Sequence, residues 1–132
     1  MDSRTALPSD PCHHPGVGQS VLIVDDHAPF RARARELLEA DGFEVVGESA
    51  DGSSALLAAQ SLAVDVVLLD VHLPDLDGFE VAARLTSEGG PAVVLVSSRD
   101  ASDFGSLVAA SGARGFIGKD ELSGSRLQSL LA

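Results

Sequence analysis

Two apolar runs in this sequence end on carboxylates. The run Val64–Leu69, apolar at all but one position, is followed by Asp70, and the run Val21–Val24 is followed by Asp25 and Asp26. Runs of this length and composition are typical of strands that are buried on both faces of a parallel sheet. Because the carboxyl ends of parallel strands lie at one edge of a sheet, we expect these three acids to form one pocket.

Two later apolar runs end in groups that can stabilise negative charge. These groups are the hydroxyl of Ser97 and the ammonium of Lys119, the only lysine in the chain. Clustered carboxylates repel one another, and a divalent cation with oxygen ligands, best Mg²⁺, relieves that repulsion. Asp70 could then act as a nucleophile toward phosphorus and form an acyl phosphate. Mg²⁺, Lys119 and Ser97 would stabilise the charge that develops on the phosphoryl oxygens.

Each of these residues also has an ordinary structural interpretation. Asp25 and Asp26 could cap the helix that follows the first strand, and Asp70 could simply end a strand. Lys119 could be a solvated surface charge, and Ser97 alone carries no functional information. Their occurrence as a set, each just after the end of a predicted strand, favours the functional interpretation.

The apolar pattern alternates between strand and helix along the chain. Strands are predicted at about 21–24, 44–48, 64–69, 92–96 and 115–117, and helices at about 29–40, 53–61, 79–87, 102–110 and 121–131. Five strands that are each followed by a helix predict an α/β fold, a doubly wound five-stranded parallel sheet with helices on both faces.

Length and composition bound the organisation of the chain. The 132 residues fit one domain, with residues 1–19, rich in proline and glycine, predicted as a disordered N-terminal leader and 20–132 as the folded domain. The net charge of −11 argues against direct binding to the phosphate backbone of nucleic acid. A single cysteine, Cys12, excludes an internal disulfide and fits a cytoplasmic location. No apolar stretch is long enough to span a membrane.

Residues 20–131 resemble the receiver domain of bacterial two-component response regulators. The resemblance is carried by five segments, which are specific as a set: Val24-Asp25-Asp26-His27, Leu68-Leu69-Asp70-Val71, Leu73-Pro74-Asp75-Leu76-Asp77-Gly78, Val96-Ser97-Ser98 and Gly115-Phe116-Ile117-Gly118-Lys119. The run Gly112-Ala113-Arg114-Gly115-Phe116 resembles the subgroup that is often fused to LuxR-type DNA-binding domains. The resemblance implies a flavodoxin-like strand order, 2-1-3-4-5.

The resemblance also implies roles for the acidic residues. Asp70 would be the phosphoacceptor, taking a phosphoryl group from a phosphohistidine on a sensor histidine kinase. Asp26 and Asp70 would bind Mg²⁺ directly and Asp25 through water, and the backbone carbonyl of His72 would complete the protein ligands. The chain would therefore be a phosphoprotein and not an enzyme, with self-dephosphorylation as its only turnover.

Lys119, Ser97 and Phe116 have implied roles in the response to phosphorylation. Lys119 would hold a phosphoryl oxygen, Ser97 would swing toward the phosphate, and Phe116 would turn inward with it. The face formed by helix four, strand five and helix five would then change shape and select a downstream protein partner, which could be a second copy of the chain in a homodimer. In physical terms, phosphorylation adds charge and acceptor oxygens, and these bias an element that has two conformations.

Four positions depart from the commonest family pattern or bear on its rates. Phe116 lacks the hydroxyl often found there, so a switch must rely on packing, and Ser98 stands where a smaller residue is usual. His72 and Arg99 flank the mouth of the site, at positions linked to the dephosphorylation rate in this family.

Three functional interpretations are open at this point, besides a degenerate receiver that only binds partners, which the intact acidic set disfavours. The first is a stand-alone receiver, or one that lacks its output domain. The second is a receiver fragment of a LuxR-type transcriptional regulator. The third, disfavoured, is an Asp-nucleophile phosphohydrolase of the haloacid dehalogenase type, which needs a second acid two residues after the nucleophile, where this chain has His72.

Overall fold

The fold of residues 19–87, 90–98, 104 and 106–131 is described by a computed structural model. The strands are β1 Ser20–Val24, β2 Glu44–Ser49, β3 Val66–Asp70, β4 Ala92–Ser97 and β5 Gly115–Gly118. The α-helices are α1 Ala28–Ala40, α2 Gly52–Ser61, α3 Gly78–Ser87, α4 Leu107–Ala110 and α5 Gly124–Leu131, and a 3₁₀ helix covers Lys119–Glu121. The predicted leader falls almost wholly outside the described residues.

All strand pairs are parallel, and the sheet order is β2-β1-β3-β4-β5. The predicted fold class and strand order are therefore confirmed. The order reverses direction between β1 and β3, which lie side by side with Val24 opposite Leu69. Asp25 and Asp70, one residue further on, are consequently neighbours at this switch point, where α/β sheets leave a crevice for ligands.

Alternate residues of the central strands pack into two hydrophobic layers, one on each face of the sheet. Val21 and Ile23 face a layer that contains Leu38 of α1 and Leu127 of α5, whereas Leu22 faces the opposite layer. That second layer includes buried residues of α2 and α3, namely Ala55, Val81, Ala82 and Leu85. Burial on both faces explains why the strands read as unbroken apolar runs.

The structure differs from the predicted bounds at the third strand. The prediction began this strand at Val64 and ended it at Leu69, whereas β3 begins at Val66 and includes Asp70. Asp65 instead joins the start of β3 to the start of β1, at the opposite edge of the sheet. Its carboxylate accepts hydrogen bonds from the backbone N–H and the hydroxyl of Ser20 at 2.9 and 3.2 Å.

The predicted helix at 102–110 was wrong at Phe104 and Ser106. Phe104 and Ser106 lie in turns, α4 covers only Leu107–Ala110, and residues 101–103 and 105 lie outside the described part. Phe104 is nearly buried and its ring packs 5.6 Å from that of Phe116, so this tertiary contact favours a turn at Phe104 over the predicted helix.

The start of the last helix was also wrong. It was predicted at Glu121, but α5 begins at Gly124 after the 3₁₀ helix. Two capping interactions set this start: the Ser123 hydroxyl accepts from the backbone N–H of Arg126 at 3.1 Å, and the Asp41 carboxylate accepts from that of Gly124 at 2.9 Å. Asp41 follows α1, so this second cap ties α1 to α5.

We expect Asp41→Ala to lower the free energy of unfolding by about 1 kcal/mol, the usual cost of removing a helix cap. Asp41→Asn keeps an oxygen acceptor and should lose clearly less. Urea unfolding followed by circular dichroism measures both. Equal losses for the two variants, or no loss for Asp41→Ala, would contradict this role of the cap.

Candidate functional site

Three carboxylates come together at the carboxyl edge of β1 and β3. Ligand oxygens of Asp25, Asp26 and Asp70 all lie within 4.8 Å of one another. The Asp25 side chain is fully buried and Asp70 is 4% exposed, whereas Asp26 is exposed. The predicted acidic pocket therefore has one open side, through which a cation or a phosphoryl group can approach.

Lys119 supplies the positive charge at this pocket. Its Nζ lies 2.6 Å from Asp25 Oδ2 and 3.7 Å from Asp70 Oδ2. The same Nζ lies 4.7 Å from the centre of the Phe30 ring on α1, a cation–π contact. Residues from three distant parts of the chain thus meet at one ammonium group.

The environment of Asp70 disfavours its ionised form. Burial, followed by the negative charge of Asp25, raises the pKa of Asp70 to about 6, although Lys119 acts in the opposite direction. A bound cation would add positive charge beside Asp70 and lower this pKa. A cation and the ionised form of Asp70 would therefore stabilise each other.

Backbone groups orient the two buried acids. The N–H of His27 donates to Asp25 Oδ1 at 2.7 Å, and the N–H of His72 donates to Asp70 Oδ1 at 3.2 Å. The other oxygen of Asp25, Oδ2, is buried, and its partner among the described residues is the Lys119 ammonium at 2.6 Å. A cluster whose ligands are all carboxylate oxygens fits a hard cation such as Mg²⁺.

The loop after β3 is held at its C-terminal end and in its middle. A Cβ at Gly78 would lie 2.7 Å from the Cα of Val71, so only glycine allows α3 to start this close to β3. In the middle of the loop, Asp75 accepts hydrogen bonds from the backbone N–H groups of Gly52 and Ser53 at 2.7 and 3.0 Å. The bond from Gly52, followed by one from the Ser53 hydroxyl at 2.8 Å, lowers the pKa of Asp75 to about 2. The loop that carries His72 is thereby fastened to the start of α2.

The two predicted switch residues lie on neighbouring strands. Ser97 ends β4, is buried and pairs with Gly118 of β5, directly before Lys119. Phe116 is half-buried on β5, and its ring contacts Phe104. The Phe104 ring in turn lies 5.4 Å from Phe79 and 6.0 Å from the imidazole of His72.

The seven predicted site residues all lie at or beside the carboxyl edge of the sheet: Asp25, Asp26, Asp70, His72, Ser97, Phe116 and Lys119. The sequence did not indicate two further residues near the site, Phe104 and Arg31. Phe104 was assigned to a helix, and its aromatic contacts were not foreseen. Arg31 of α1 belongs to none of the motifs in the sequence, yet its guanidinium donates to the carbonyl oxygen of Asp25. Arg99 lies outside the described residues.

The chain belongs to the response regulator receiver domain family, whose sequence profile matches residues 21–131. It is 45% identical over 102 residues to the transcription regulator BvgA of Bordetella pertussis, covering 76% of this chain and 49% of that protein. It is 42% identical to the nitrate/nitrite response regulator NarP of Escherichia coli, covering 76% and 47%. The chain thus spans about half the length of these curated relatives.

Solved structures agree with this assignment. The signal receiver domain of NarL from Mycobacterium tuberculosis superposes with a TM-score of 0.77 at 34% identity, covering 88% of this chain and 98% of that one. A LuxR-family response regulator from Aurantimonas superposes with a TM-score of 0.76 at 26% identity, covering 85% and 81%. The chain is thus a two-component receiver domain with LuxR-family relatives. Within the described residues, no helix is both long and apolar enough to cross a membrane.

We expect Asp70→Asn to stabilise the fold in a pH-dependent manner. Since the folded pKa of Asp70, about 6, exceeds its ordinary value of 3.8, ionisation of this group weakens folding. The penalty is absent near pH 4, grows as the pH rises to about 6, and is then constant. At about pH 7.5 the variant should gain roughly 2–3 kcal/mol in free energy of unfolding.

Urea unfolding of both proteins at about pH 4 and pH 7.5, without divalent cations, measures this difference. Adding Mg²⁺ at the higher pH should shrink the advantage of the variant, because the cation stabilises only the carboxylate. An advantage that is equal at both pH values would show that the substitution acts through packing instead.

Proposed function

We propose that Asp70 accepts a phosphoryl group from a phosphohistidine on a sensor histidine kinase, in a reaction that requires Mg²⁺. The observation that carries the proposal is the cluster of three carboxylate groups within 4.8 Å, with the only lysine of the chain beside it. Membership of the receiver family supports the same function. Asp70 is the proposed acceptor because it is a buried acid at the end of β3, within 3.7 Å of the Lys119 ammonium.

The transfer step is a displacement at phosphorus. A carboxylate oxygen of Asp70 forms the new P–O bond as the P–N bond to the donor histidine breaks, and the imidazole nitrogen keeps the electron pair. Asp26 and Asp70 would hold Mg²⁺ directly, Asp25 through water, and the His72 carbonyl would complete the set. Bound there, Mg²⁺ supplies positive charge to the phosphoryl oxygens.

Lys119 changes partner in this scheme. Its Nζ is closer to Asp25 than to Asp70, so Asp25 holds it near the site before transfer. With a cation bound by the acids, the Lys119 ammonium would be available to a phosphoryl oxygen on Asp70. A pocket beside Lys119 is a candidate place for part of the donor, and its lining residues are His27, Pro29, Phe30, Arg33, Ser98 and Lys119.

Phosphorylation then acts on Ser97 and Phe116. The Ser97 hydroxyl would turn toward the new phosphoryl oxygens, and the Phe116 ring would move inward into the space this leaves. Such a movement separates Phe116 from Phe104 and reshapes the surface formed by α4, β5 and α5. Leu107 of α4 is 51% exposed on this side and is a candidate contact for a downstream partner or a second copy of the chain.

A second candidate function concerns the whole protein. BvgA is named a transcription regulator and is about twice as long as the matched segment, and the Aurantimonas structure is of the LuxR family. We infer a cytoplasmic regulator whose receiver controls DNA binding by another domain, while the receiver itself makes no direct contact with nucleic acid. Reading the gene beyond codon 132 tests this directly, because an in-frame stop there leaves the stand-alone receiver.

We expect intact-mass spectrometry to detect one added phosphoryl group when the protein is incubated with Mg²⁺ and a small phosphodonor such as acetyl phosphate. Asp70→Asn should abolish the addition, because an amide is a poor nucleophile and cannot form the acyl phosphate. Removing Mg²⁺ with a chelator should also abolish it.

The matched control is Asp120→Asn, which removes an exposed acid beside Lys119 but outside the cluster, and which should be phosphorylated like the unmodified chain. Phosphorylation of Asp70→Asn at another residue, with equal yield, would count against Asp70 as the acceptor.

We expect beryllofluoride with Mg²⁺, a mimic of the phosphoryl group, to separate the Phe116 ring from that of Phe104. Nuclear Overhauser contacts between the two rings should weaken or disappear, since the rings now lie 5.6 Å apart. Ser97→Ala should retain the contacts after the addition, whereas Ser98→Ala should lose them as the unmodified protein does. Persistence of the ring contacts in the unmodified protein would rule out this switch.

A further inference from the structure

Arg31 links the loop that carries two of the acids to the end of β2. From α1, its Nη1 donates to the backbone carbonyl oxygen of Asp25 at 2.5 Å, and its Nε donates to Glu48 Oε1 at 3.0 Å. The side chain is only 19% exposed. The planar guanidinium presents its donors in a fixed fork, so both acceptors are held in one orientation.

The acceptor carbonyl belongs to the peptide unit that joins Asp25 to Asp26. This unit is planar, so fixing its carbonyl also fixes the directions in which the chain leaves toward both residues. On the other side, the N–H of Asp25 donates to the carbonyl oxygen of Ser49 at 3.0 Å. The backbone of Asp25 is thereby held to β2 at its N–H and, through Arg31 and Glu48, at its carbonyl.

Arg35 provides an internal comparison, since it shares one partner with Arg31. Its Nε donates to Glu48 Oε2 at 2.8 Å, and its Nη1 donates to Glu39 and to the carbonyl oxygen of Val45. These acceptors lie on α1 and β2, and none lies in the loop between β1 and α1. The two arginines therefore have the same charge and share Glu48, but only Arg31 holds the Asp25–Asp26 peptide.

We propose that Arg31 is a positioning residue for the acidic cluster, which holds Asp25 and Asp26 in the arrangement that binds a divalent cation. The proposal rests on the cation site of the proposed function. It assigns a specific task to a residue that otherwise counts as part of a surface salt bridge, a type of interaction that contributes little to stability.

Electrostatics and positioning predict opposite effects of removing this arginine. A guanidinium beside the cluster repels Mg²⁺, so loss of its charge alone tightens cation binding. Loss of an orienting hydrogen bond weakens binding, typically by about ten- to a hundred-fold for groups that support metal ligands. The direction of the change in dissociation constant therefore separates the two roles.

The experiment measures binding of Mg²⁺ by calorimetry, and of Mn²⁺ by electron paramagnetic resonance, to the full chain without a phosphodonor. We expect Arg31→Met to weaken binding of both ions by about ten- to a hundred-fold, whereas Arg35→Met stays within about threefold of the unmodified protein. Arg31→Lys keeps the charge but not the fork, so it should also bind more weakly than the unmodified protein. If circular dichroism shows that Arg31→Met is unfolded, the cation binding of Arg31→Lys tests the proposal in its place.

Binding by Arg31→Met that equals or exceeds that of the unmodified protein would overturn the proposal, as would equal weakening in Arg31→Met and Arg35→Met. If Arg31→Met is unfolded, undiminished binding by Arg31→Lys has the same force. Failure of the unmodified protein to bind either ion would instead remove the cation site on which the proposal rests, so the two failures are distinguishable.

Discussion

Repulsion between carboxylates that the fold holds together is the constraint on which the rest of this structure depends. Asp25 and Asp70 are buried side by side because β1 and β3 are adjacent and end at the same level. Buried like charges are costly without compensation, and here Lys119 supplies only one positive charge. The site therefore keeps a deficit of positive charge, which a divalent cation or protonation of Asp70 can relieve. The phosphoryl transfer that we propose would start from this uncompensated repulsion between the buried acids.

The surrounding elements limit how the cluster can relax. Main-chain donors from His27 and His72 each hold one oxygen of a buried acid, so the carboxylates cannot simply turn away from each other. Gly78 lets α3 begin against β3, and Asp75 fastens the intervening loop to α2. Rigidity of this kind is what positions a reactive group within the small tolerance that chemistry needs.

Much of this arrangement could be predicted from the sequence, and the exceptions have physical causes. Unbroken apolar runs ending in Asp25 and Asp70 predicted parallel strands and a shared acidic edge, since both signals are local. Phe104 could not be predicted, because its turn depends on packing against rings far along the chain. The role of Arg31 could not be predicted either, since a helical pattern gives the face on which a residue lies but not the acceptors that its long side chain can reach.

The most direct test of the account is an NMR titration of the Asp70 carboxyl carbon, with and without Mg²⁺. The account predicts a pKa near 6 for Asp70 in the absence of divalent cations and a clear decrease when Mg²⁺ is added. An ordinary pKa that Mg²⁺ leaves unchanged would mean that the three acids neither strain one another nor share a cation, and the account would fail.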